Sequence, residues 1–232
     1  MKKQTVRKVA IFDIDGTIFR SSLLIEVTEA LINKEVFPKV ARMGYEKEYK
    51  KWLEREGTYE DYIMAVVKTF LKNIKGVKHS DFSKIAKTVI ADNNNKVYVY
   101  TRDLVKKLKK NGYYLLAISN SPKEMVQGFC KKMGFDKTYG RVYEIGKNDK
   151  YTGNILYLDL ITDKSKILKR VMEKVALTLK GSVAVGDTEG DIPMLKMVDI
   201  PICINPNKNL FKVAMKNNWR IVVERKDVIY KL

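Results

Sequence analysis

Two patterns of apolar and polar positions divide the chain. Residues 6–12 form a short apolar run that ends in the polar turn Asp13-Ile14-Asp15-Gly16-Thr17, which predicts a buried strand with carboxylates at its C-terminal tip. From residue 21 to about residue 92 the apolar positions recur at helical spacing and no strand pattern interrupts them. The pattern therefore predicts a strand followed by an all-helical insertion.

Helix and strand patterns alternate after the insertion. We predict helices at 100–111, 122–133, 163–179, 192–197 and 207–217, strands at 113–118, 182–185, 200–204 and 220–223, and a hairpin at 139–157. Such alternation predicts an α/β fold with a doubly wound parallel sheet, a Rossmann-like core. The predicted core domain comprises residues 1–17 and 97–232, and the predicted helical cap domain comprises residues 18–96.

Composition and length indicate a folded globular protein. Of 232 residues, 45% are hydrophobic and 31% are charged, which is too apolar for a disordered chain. There is no run of eighteen apolar residues, and the N-terminus has no signal-peptide pattern. We therefore expect a cytoplasmic protein without a membrane span, either a monomer or a homodimer. Cys130 and Cys203 have neither disulfide nor zinc-site spacing and are expected to be inert core thiols.

The charge of the chain favours anionic partners. Forty-five Lys and Arg residues against 27 Asp and Glu residues give a formal net charge of +18. The lysines are scattered, and the one dense cluster, at positions 106, 107, 109 and 110, is typical of a solvated helix face. Because no nucleic-acid-reading module accompanies it, we favour a generally lysine-rich surface and expect no dedicated nucleic-acid site.

Polar side chains end three of the predicted strands: Asp13 and Asp15, Ser119, and Asp187. Ligands of doubly wound sheets bind at the carboxyl ends of the strands. Phosphoryl transfer through an aspartyl-phosphate needs a carboxylate nucleophile and an acid for the leaving group. Asp13 is the predicted nucleophile. Asp15, on the same side of an extended backbone, is the predicted general acid and base.

The remaining requirements also have candidates. The Ser119 hydroxyl and the amides that follow it can bind a phosphate oxygen. Asp187 and Asp191 supply carboxylates for a hard cation, for which Mg²⁺ is the natural choice beside a phosphate.

Four segments in order resemble the motifs of the haloacid dehalogenase superfamily, and in particular its phosphoserine-phosphatase-like branch (subfamily IB type), which carries a helical cap. The segments are Asp13-Ile14-Asp15-Gly16-Thr17, Ser119-Asn120, Lys164 in Lys-Ser-Lys-Ile-Leu, and Gly186-Asp187-Thr188-Glu189-Gly190-Asp191. The second aspartate, Asp15, resembles the phosphatases and phosphomutases rather than the dehalogenases.

The resemblance implies a role for each motif residue. Asp13 and Asp187, with the main-chain carbonyl of Asp15, would ligate Mg²⁺, and Asp191 would support the metal shell. The phosphoryl group would be held by Ser119, Asn120 and Lys164.

Three positions depart from phosphoserine phosphatases. Ser22 stands where that family has a glutamate for the substrate's amino group, Val66 falls by rough alignment at the cap arginine, and Gly190 replaces an asparagine. We therefore predict a small phosphorylated metabolite other than phosphoserine, whose leaving group contacts Phe19 and Ser22. The aromatic residues of the cap are expected to pack the helical domain against itself, and the alternative is that some of them line the same pocket. The only histidine, His79, is expected in a solvated loop.

Three alternatives stay open from the sequence. The chain can be a phosphotransferase or mutase of the same superfamily, because the motifs do not identify the acceptor. It can be a phosphoserine phosphatase with divergent substrate contacts. It can also be a non-catalytic protein that binds nucleic acid or a lipid surface through its charge.

Overall fold

The structure is a computed structural model that describes residues 6–232. Residues 1–5, which begin the predicted core domain and in which no signal-peptide pattern was found, lie outside the described residues. The strands are β1 (Arg7–Phe12), β2 (Tyr114–Pro122), β3 (Lys137–Ile145), β4 (Tyr151–Leu156), β5 (Leu177–Gly186), β6 (Ile200–Ile204), β7 (Arg220–Arg225) and β8 (Val228–Lys231). The helices are α1 (Leu23–Asn33), α2 (Met43–Leu53), α3 (Tyr59–Ile74), α4 (His79–Asn93), α5 (Val99–Lys110), α6 (Lys123–Cys130), α7 (Leu158–Ile161), α8 (Lys164–Met172), α9 (Ile192–Leu195) and α10 (Lys208–Lys216).

The strands form one sheet in the order β4-β3-β2-β1-β5-β6-β7-β8. The six strands from β3 to β7 in this order pair in parallel, whereas β4 and β8 pair antiparallel at the two edges. This arrangement confirms the predicted α/β fold with a doubly wound, mainly parallel sheet. The chain runs outward from β1 in both directions, so β1 and β5 flank the switch point where such sheets bind ligands.

Alternating side chains of β1 enter two different cores. Ala10 and Phe12 pack in a cluster with residues of α5 and α6, whereas Val9 and Ile11 pack on the opposite face against residues of α8. These four side chains are completely buried. Burial on both faces is typical of a central parallel strand, and it holds the C-terminal tip of β1 in a fixed place.

The helices α1 to α4 follow β1 without contributing a strand to the sheet. Their core consists of apolar side chains such as Leu31, Phe37, Val66 and Phe70. This agrees with an all-helical insertion at this point of the chain. The domain boundaries at 17/18 and 96/97 stay predictions.

One sequence prediction about the core needs correction, and one strand was missed. The helix predicted at 163–179 ends at Met172, because Leu177 and Thr178 instead extend β5 and pair with Arg7 and Lys8 of β1. The edge strand β8 was not predicted, since all four of its residues are exposed and its pattern has no buried face.

The prediction for His79 is also wrong. This residue is the first of α4 and is half-buried rather than in a solvated loop. Its Nε2 atom lies 2.9 Å from Glu124 Oε1, and its Nδ1 atom lies 3.4 Å from Asp149 Oδ1. His79 therefore links the helical insertion to α6 and to the β3–β4 connection.

Other sequence predictions concern the surface and the thiols. The lysines at 106, 107, 109 and 110 are exposed on α5, as predicted for a solvated helix face. Both cysteines are buried and free. Within residues 6–232, no helix combines the length and the apolar character that crossing a bilayer requires. The cytoplasmic location and the oligomeric state stay predictions.

Candidate active site

The carboxylates that end β1 and β5 come together at one edge of the sheet. Asp13 follows β1, and its amide donates a hydrogen bond of 3.0 Å to the carbonyl of Val185 in the neighbouring strand. Asp187 follows β5 directly. Carboxylate oxygens of Asp13, Asp187 and Asp191 all lie within 4.8 Å of one another. The sequence-predicted carboxylates therefore form one cluster.

Lys164 carries the ammonium group of this cluster. It is the first residue of α8, whose N-cap residue Asp163 accepts hydrogen bonds from the Ser165 amide and hydroxyl at 3.0 and 2.6 Å. Lys164 Nζ donates to Asp13 Oδ1 at 2.5 Å and to Asp191 Oδ1 at 2.6 Å. Only 5% of the Lys164 side chain is exposed, so both ion pairs are screened little by solvent.

The turn after β5 is organised around Asp191. Its Oδ2 atom accepts the amides of Asp187 and Thr188 at 3.0 and 3.2 Å, and its other oxygen accepts Lys164. Asp191 is completely buried, and both of its oxygens are engaged. It therefore holds the Asp187 backbone and the Lys164 ammonium in place.

Two residues of the first motif fix the side chain of Asp187. Thr17 Oγ1 donates to Asp187 Oδ1 at 3.0 Å. Gly16 has a φ of +76°, and a Cβ atom there would lie 2.1 Å from Asp187 Oδ2. Both the backbone conformation and the close approach require glycine at this position.

Asp15 is held by a different set of groups. Its Oδ1 atom accepts the Leu23 amide at 2.5 Å, and its Oδ2 atom accepts the Ser119 hydroxyl at 2.5 Å. Ser119 Oγ in turn accepts the Ser121 amide at 2.9 Å. Ser119 thus lies beside Asp15, and its hydroxyl is engaged there rather than free.

The crowding of carboxylates shifts their pKa values. Burial raises the pKa of Asp13 to about 7, Lys164 opposes this shift, and Asp191 and Asp15 add to it. Burial and the charges of Asp13 and Asp191 also raise the pKa of Asp187. Burial disfavours the Lys164 ammonium, but Asp13 and Asp191 outweigh burial and raise its pKa. One ammonium therefore leaves the cluster with excess negative charge.

The donor set suits a hard divalent cation such as Mg²⁺. Asp13 Oδ2 and Asp187 Oδ2 accept no hydrogen bond from the residues that the structure describes, whereas the second oxygen of each is held by Lys164 or Thr17. Oxygen donors and uncompensated negative charge are what such a cation requires. Both oxygens of Asp191 already accept hydrogen bonds, so Asp191 is suited to positioning the cluster and not to binding the cation directly.

A cavity of about 350 Å³ opens beside Asp13 and Asp15. Among its lining residues are Ser22, Asn120 and Lys164, so three further sequence-predicted site residues border it. Phe19 does not line it. That side chain is completely buried and packs edge-to-face on Phe129, with ring centroids 5.2 Å apart, because the turn after Gly16 directs it into the core.

Helix α3 forms the opposite wall of this cavity. Tyr59, Ile63 and Val67, spaced by four residues, line the cavity together with Met64. Tyr62 and Val66 lie on the neighbouring face of the helix and are buried in the helical insertion. Val66, which falls by rough alignment at the position of the cap arginine, therefore faces the core of the helical insertion and does not line the cavity.

Arg141 is a cavity residue that the sequence did not reveal. It lies on β3, and one of its terminal nitrogens donates to Asn120 Oδ1 at 3.2 Å. Gly140 permits this approach, because a Cβ atom there would lie 2.6 Å from Lys123 Cα at the start of α6. The signal available in the sequence was an arginine directly after a strand glycine in the predicted hairpin.

A second cavity, of about 520 Å³, shares Tyr59 and Asp187 with the first. Cap aromatic residues line it, together with Arg20. The aromatic residues are Tyr49, Trp52, Tyr59 and Tyr62, with Tyr98 from the start of α5. The cap aromatics thus border two cavities, and Tyr59 lies between them.

Comparisons with known proteins agree with this geometry. Residues 10–196 match the haloacid dehalogenase-like hydrolase family. The chain is 25% identical over 219 residues to a phosphoserine phosphatase of Mycobacterium tuberculosis, covering 91% of this chain and 69% of that protein. It is 22% identical over 233 residues to a histidinol-phosphatase of Neisseria meningitidis, covering 94% of this chain and 99% of that protein. A solved structure described as a phospho-aspartyl intermediate analogue of phosphoserine phosphatase has the same fold, with a TM-score of 0.63, 23% identity and 96% coverage of both chains.

Proposed function

Since the chain belongs to the haloacid dehalogenase-like hydrolase family, we propose that it is a Mg²⁺-dependent phosphomonoester hydrolase. In this proposal Asp13 is the covalent nucleophile and Asp15 is the general acid and base. The observation that best supports this proposal is the hydrogen bonding of Asp13. Lys164 donates to one of its carboxylate oxygens, and the other oxygen has no partner among the described residues. That free oxygen belongs to a residue that lines a cavity large enough for a small ester.

The reaction has two steps, in which Asp13 carries the phosphoryl group and Asp15 donates and then accepts a proton. Asp13 attacks phosphorus, the ester P–O bond breaks, and Asp15 gives its proton to the departing alkoxide. Asp15 then removes a proton from water, the water oxygen bonds to phosphorus, and the bond between phosphorus and Asp13 breaks. Inorganic phosphate leaves, and both aspartates return to their starting state.

The other site residues orient the reactants. Lys164 fixes the Asp13 carboxylate and supplies positive charge to the phosphoryl oxygens. Ser119 and the Leu23 amide hold Asp15, and the proposed phosphate contact of Ser119 requires its hydroxyl to leave Asp15 when an ester binds. Asn120 borders the same cavity.

Asp13, Asp187 and the main-chain carbonyl of Asp15 would hold Mg²⁺, with Asp191 as the supporting residue. When bound, the cation would neutralise charge on the phosphoryl group and on the carboxylate cluster. The excess of carboxylates over ammonium groups supports this assignment.

We propose a substrate other than phosphoserine. Ser22 lines the cavity without offering a carboxylate for an ammonium group, and Val66 is buried away from the cavity. The names of the two curated relatives make O-phosphoserine and histidinol phosphate the first compounds to compare.

Phosphate release tests this proposal. Wild type and Asp13→Asn are assayed on para-nitrophenyl phosphate, O-phosphoserine, histidinol phosphate and a panel of metabolite phosphates, each with Mg²⁺ and with a chelator. We expect release that needs Mg²⁺, with a loss of at least about a thousandfold in kcat for Asp13→Asn, or about 4 kcal/mol of barrier. Near-normal turnover by Asp13→Asn would refute the nucleophile assignment.

The same assay separates the alternatives. Preferred turnover of O-phosphoserine would identify a phosphoserine phosphatase with divergent contacts. A phosphorylated acceptor in place of free phosphate would identify a transferase or mutase. Salt-sensitive retention of DNA or anionic vesicles without phosphate release would identify a binding protein.

A further inference from the structure

The guanidinium of Arg141 is a cation beside the cavity that has no carboxylate partner in residues 6–232. Its one hydrogen bond goes to the neutral amide oxygen of Asn120. Arg7 and Arg42, in contrast, pair with Asp136 and Glu29 at 2.8 and 2.7 Å. Since a guanidinium has several N–H donors in a planar fork, most of the binding capacity of Arg141 is unused.

The surroundings of Arg141 make this arrangement costly. Its Nε atom is buried and has no hydrogen-bond partner among the described residues, and the same holds for the neighbouring Tyr143 hydroxyl. Burial raises the pKa of Tyr143 to about 12, whereas the charge of Arg141 and its N–H donors beside the phenol oppose that shift, so the phenol stays neutral. A buried donor without a partner destabilises the folded protein, so stability alone does not explain this arrangement.

The position of Arg141 relates it to the leaving group. Arg141 contacts Asn120, Asn120 follows Ser119, and Ser119 donates to Asp15. In the proposed mechanism Asp15 protonates the departing oxygen, so the leaving alcohol lies on the Asp15 side of the phosphorus. Arg141 and Asp15 line the same cavity, and on this basis we place Arg141 on the side of the alcohol.

The cavity also has apolar lining residues. Leu24 of α1 and Ile63, Met64 and Val67 of α3 line it. These side chains suit a carbon skeleton and offer no partner for a charged group.

The two glutamates of the cavity do not neutralise Arg141. Glu189 accepts the side-chain amides of Asn207 and Asn209, and Glu60 is exposed at the start of α3. Neither forms an ion pair with Arg141.

We propose that Arg141 determines substrate specificity by binding an anionic group, a carboxylate or a second phosphate, carried by the leaving alcohol. This inference rests on the proposed function and names its substrate class: phosphomonoesters of small anionic alcohols with an apolar skeleton. An ion pair with a carboxylate or a phosphate can use two N–H donors of the Arg141 guanidinium at once. Such a pair is stronger than a hydrogen bond between neutral groups.

Three esters with one skeleton test the inference: phenyl phosphate, para-carboxyphenyl phosphate and para-phenylene bisphosphate. Each is assayed with wild type, Arg141→Gln and Arg141→Lys, and the ratio of variant to wild-type kcat/KM is taken for each ester, which removes differences in leaving-group chemistry. Arg20→Gln is the matched control, because it removes the same charge from the second cavity.

We expect Arg141→Gln to lower kcat/KM about tenfold or more on at least one anionic ester, mainly through KM, and to change phenyl phosphate by less than about twofold. Arg141→Lys should restore part of the loss. The anionic ester with the larger loss of kcat/KM in Arg141→Gln shows whether Arg141 binds a carboxylate or a second phosphate. Arg20→Gln should change the three esters by a common factor.

Equal losses on all three esters, or no loss on any, would overturn the inference. Suppose that hydrolysis of phenyl phosphate depends on Asp13 but that the ratio of variant to wild-type kcat/KM is the same for all three esters. In that case only this inference fails. If wild type releases no phosphate from any of the three esters, the proposed function and the inference fail together.

Discussion

Lys164 Nζ donates a hydrogen bond of 2.5 Å to Asp13 Oδ1, and both side chains are buried. The pair does not bring Asp13 to an ordinary carboxylate pKa, because burial and the nearby charges of Asp191 and Asp15 outweigh the ammonium. A buried carboxylate cluster of this kind is stable in its ionised form only with further positive charge. This excess of negative charge supports our proposal that the site binds a cation.

Cation binding should stabilise the protein. At a Mg²⁺ concentration of about 100 times Kd, the free energy of unfolding rises by about 2.7 kcal/mol. For a chain of this length that corresponds to a rise in Tm of about 5–10 °C. Asp187→Asn should lose most of this rise, because it removes one of the two free carboxylate oxygens.

Thermal unfolding with Mg²⁺ and with chelator measures this effect. Asp227→Asn, in the exposed turn before β8, is the matched control and should keep the full rise in Tm. An Asp187→Asn variant that also keeps the full rise would show that the cation binds elsewhere.

Gly16→Ala should abolish most of the activity. The new Cβ atom would lie 2.1 Å from Asp187 Oδ2 and would displace that carboxylate. A displacement of about 1 Å in a catalytic group can cost about a hundredfold in rate. Steady-state kinetics on para-nitrophenyl phosphate measures the loss.

Gly112→Ala separates backbone strain from this contact. Gly112 has the same φ, +76°, but nothing lies within 4 Å of its Cβ position. The control should cost about 1–2 kcal/mol of stability with kcat preserved. Equal kcat values for the two variants would argue against a role of the Gly16 contact in placing Asp187.

Asp163→Ala should lower the free energy of unfolding by about 1 kcal/mol, because α8 loses its N-cap. The hydrogen bond from the Ser165 hydroxyl lowers the pKa of Asp163. Stability from a lowered carboxyl pKa is fully present above the unfolded value of about 3.9 and is lost as pH falls through the folded value. The difference between wild type and Asp163→Ala should therefore shrink below about pH 4.

Urea unfolding at several pH values measures this dependence. Asp163→Asn keeps an acceptor for the Ser165 amide but does not titrate, so it should resemble wild type near pH 7 and gain relative to it below about pH 4. A constant difference between wild type and Asp163→Ala across this range would exclude a stabilising ionised cap.

The carboxylate cluster at one edge of the sheet was predictable because the local sequence pattern encodes it. A buried strand followed by a carboxylate turn indicates where Asp13 lies, and parallel strands place Asp187 at the same edge. Ser22 was predicted from the resemblance, since it stands where phosphoserine phosphatases have a glutamate for the substrate, and it lines the cavity.

Contacts between distant segments were not predictable in this way. Arg141 approaches Asn120 only because Gly140 lets β3 pack closely on α6, and neither residue carries a motif. Phe19 failed as a pocket residue because its side-chain direction depends on the turn after Gly16. His79 was assigned to a loop because its partner Glu124 is far away in sequence.

The most direct test of the account is detection of a phosphoryl group on Asp13. Asp15→Asn is mixed with para-nitrophenyl phosphate, whose leaving group needs no proton, and the reaction is quenched in acid. We predict a burst of about one nitrophenolate per site, slow further turnover, and one added phosphoryl group on the Asp13 peptide by mass spectrometry. The Asp13→Asn/Asp15→Asn double variant should show neither. A burst without an adduct on Asp13, or an adduct on another residue, would contradict Asp13 as the nucleophile.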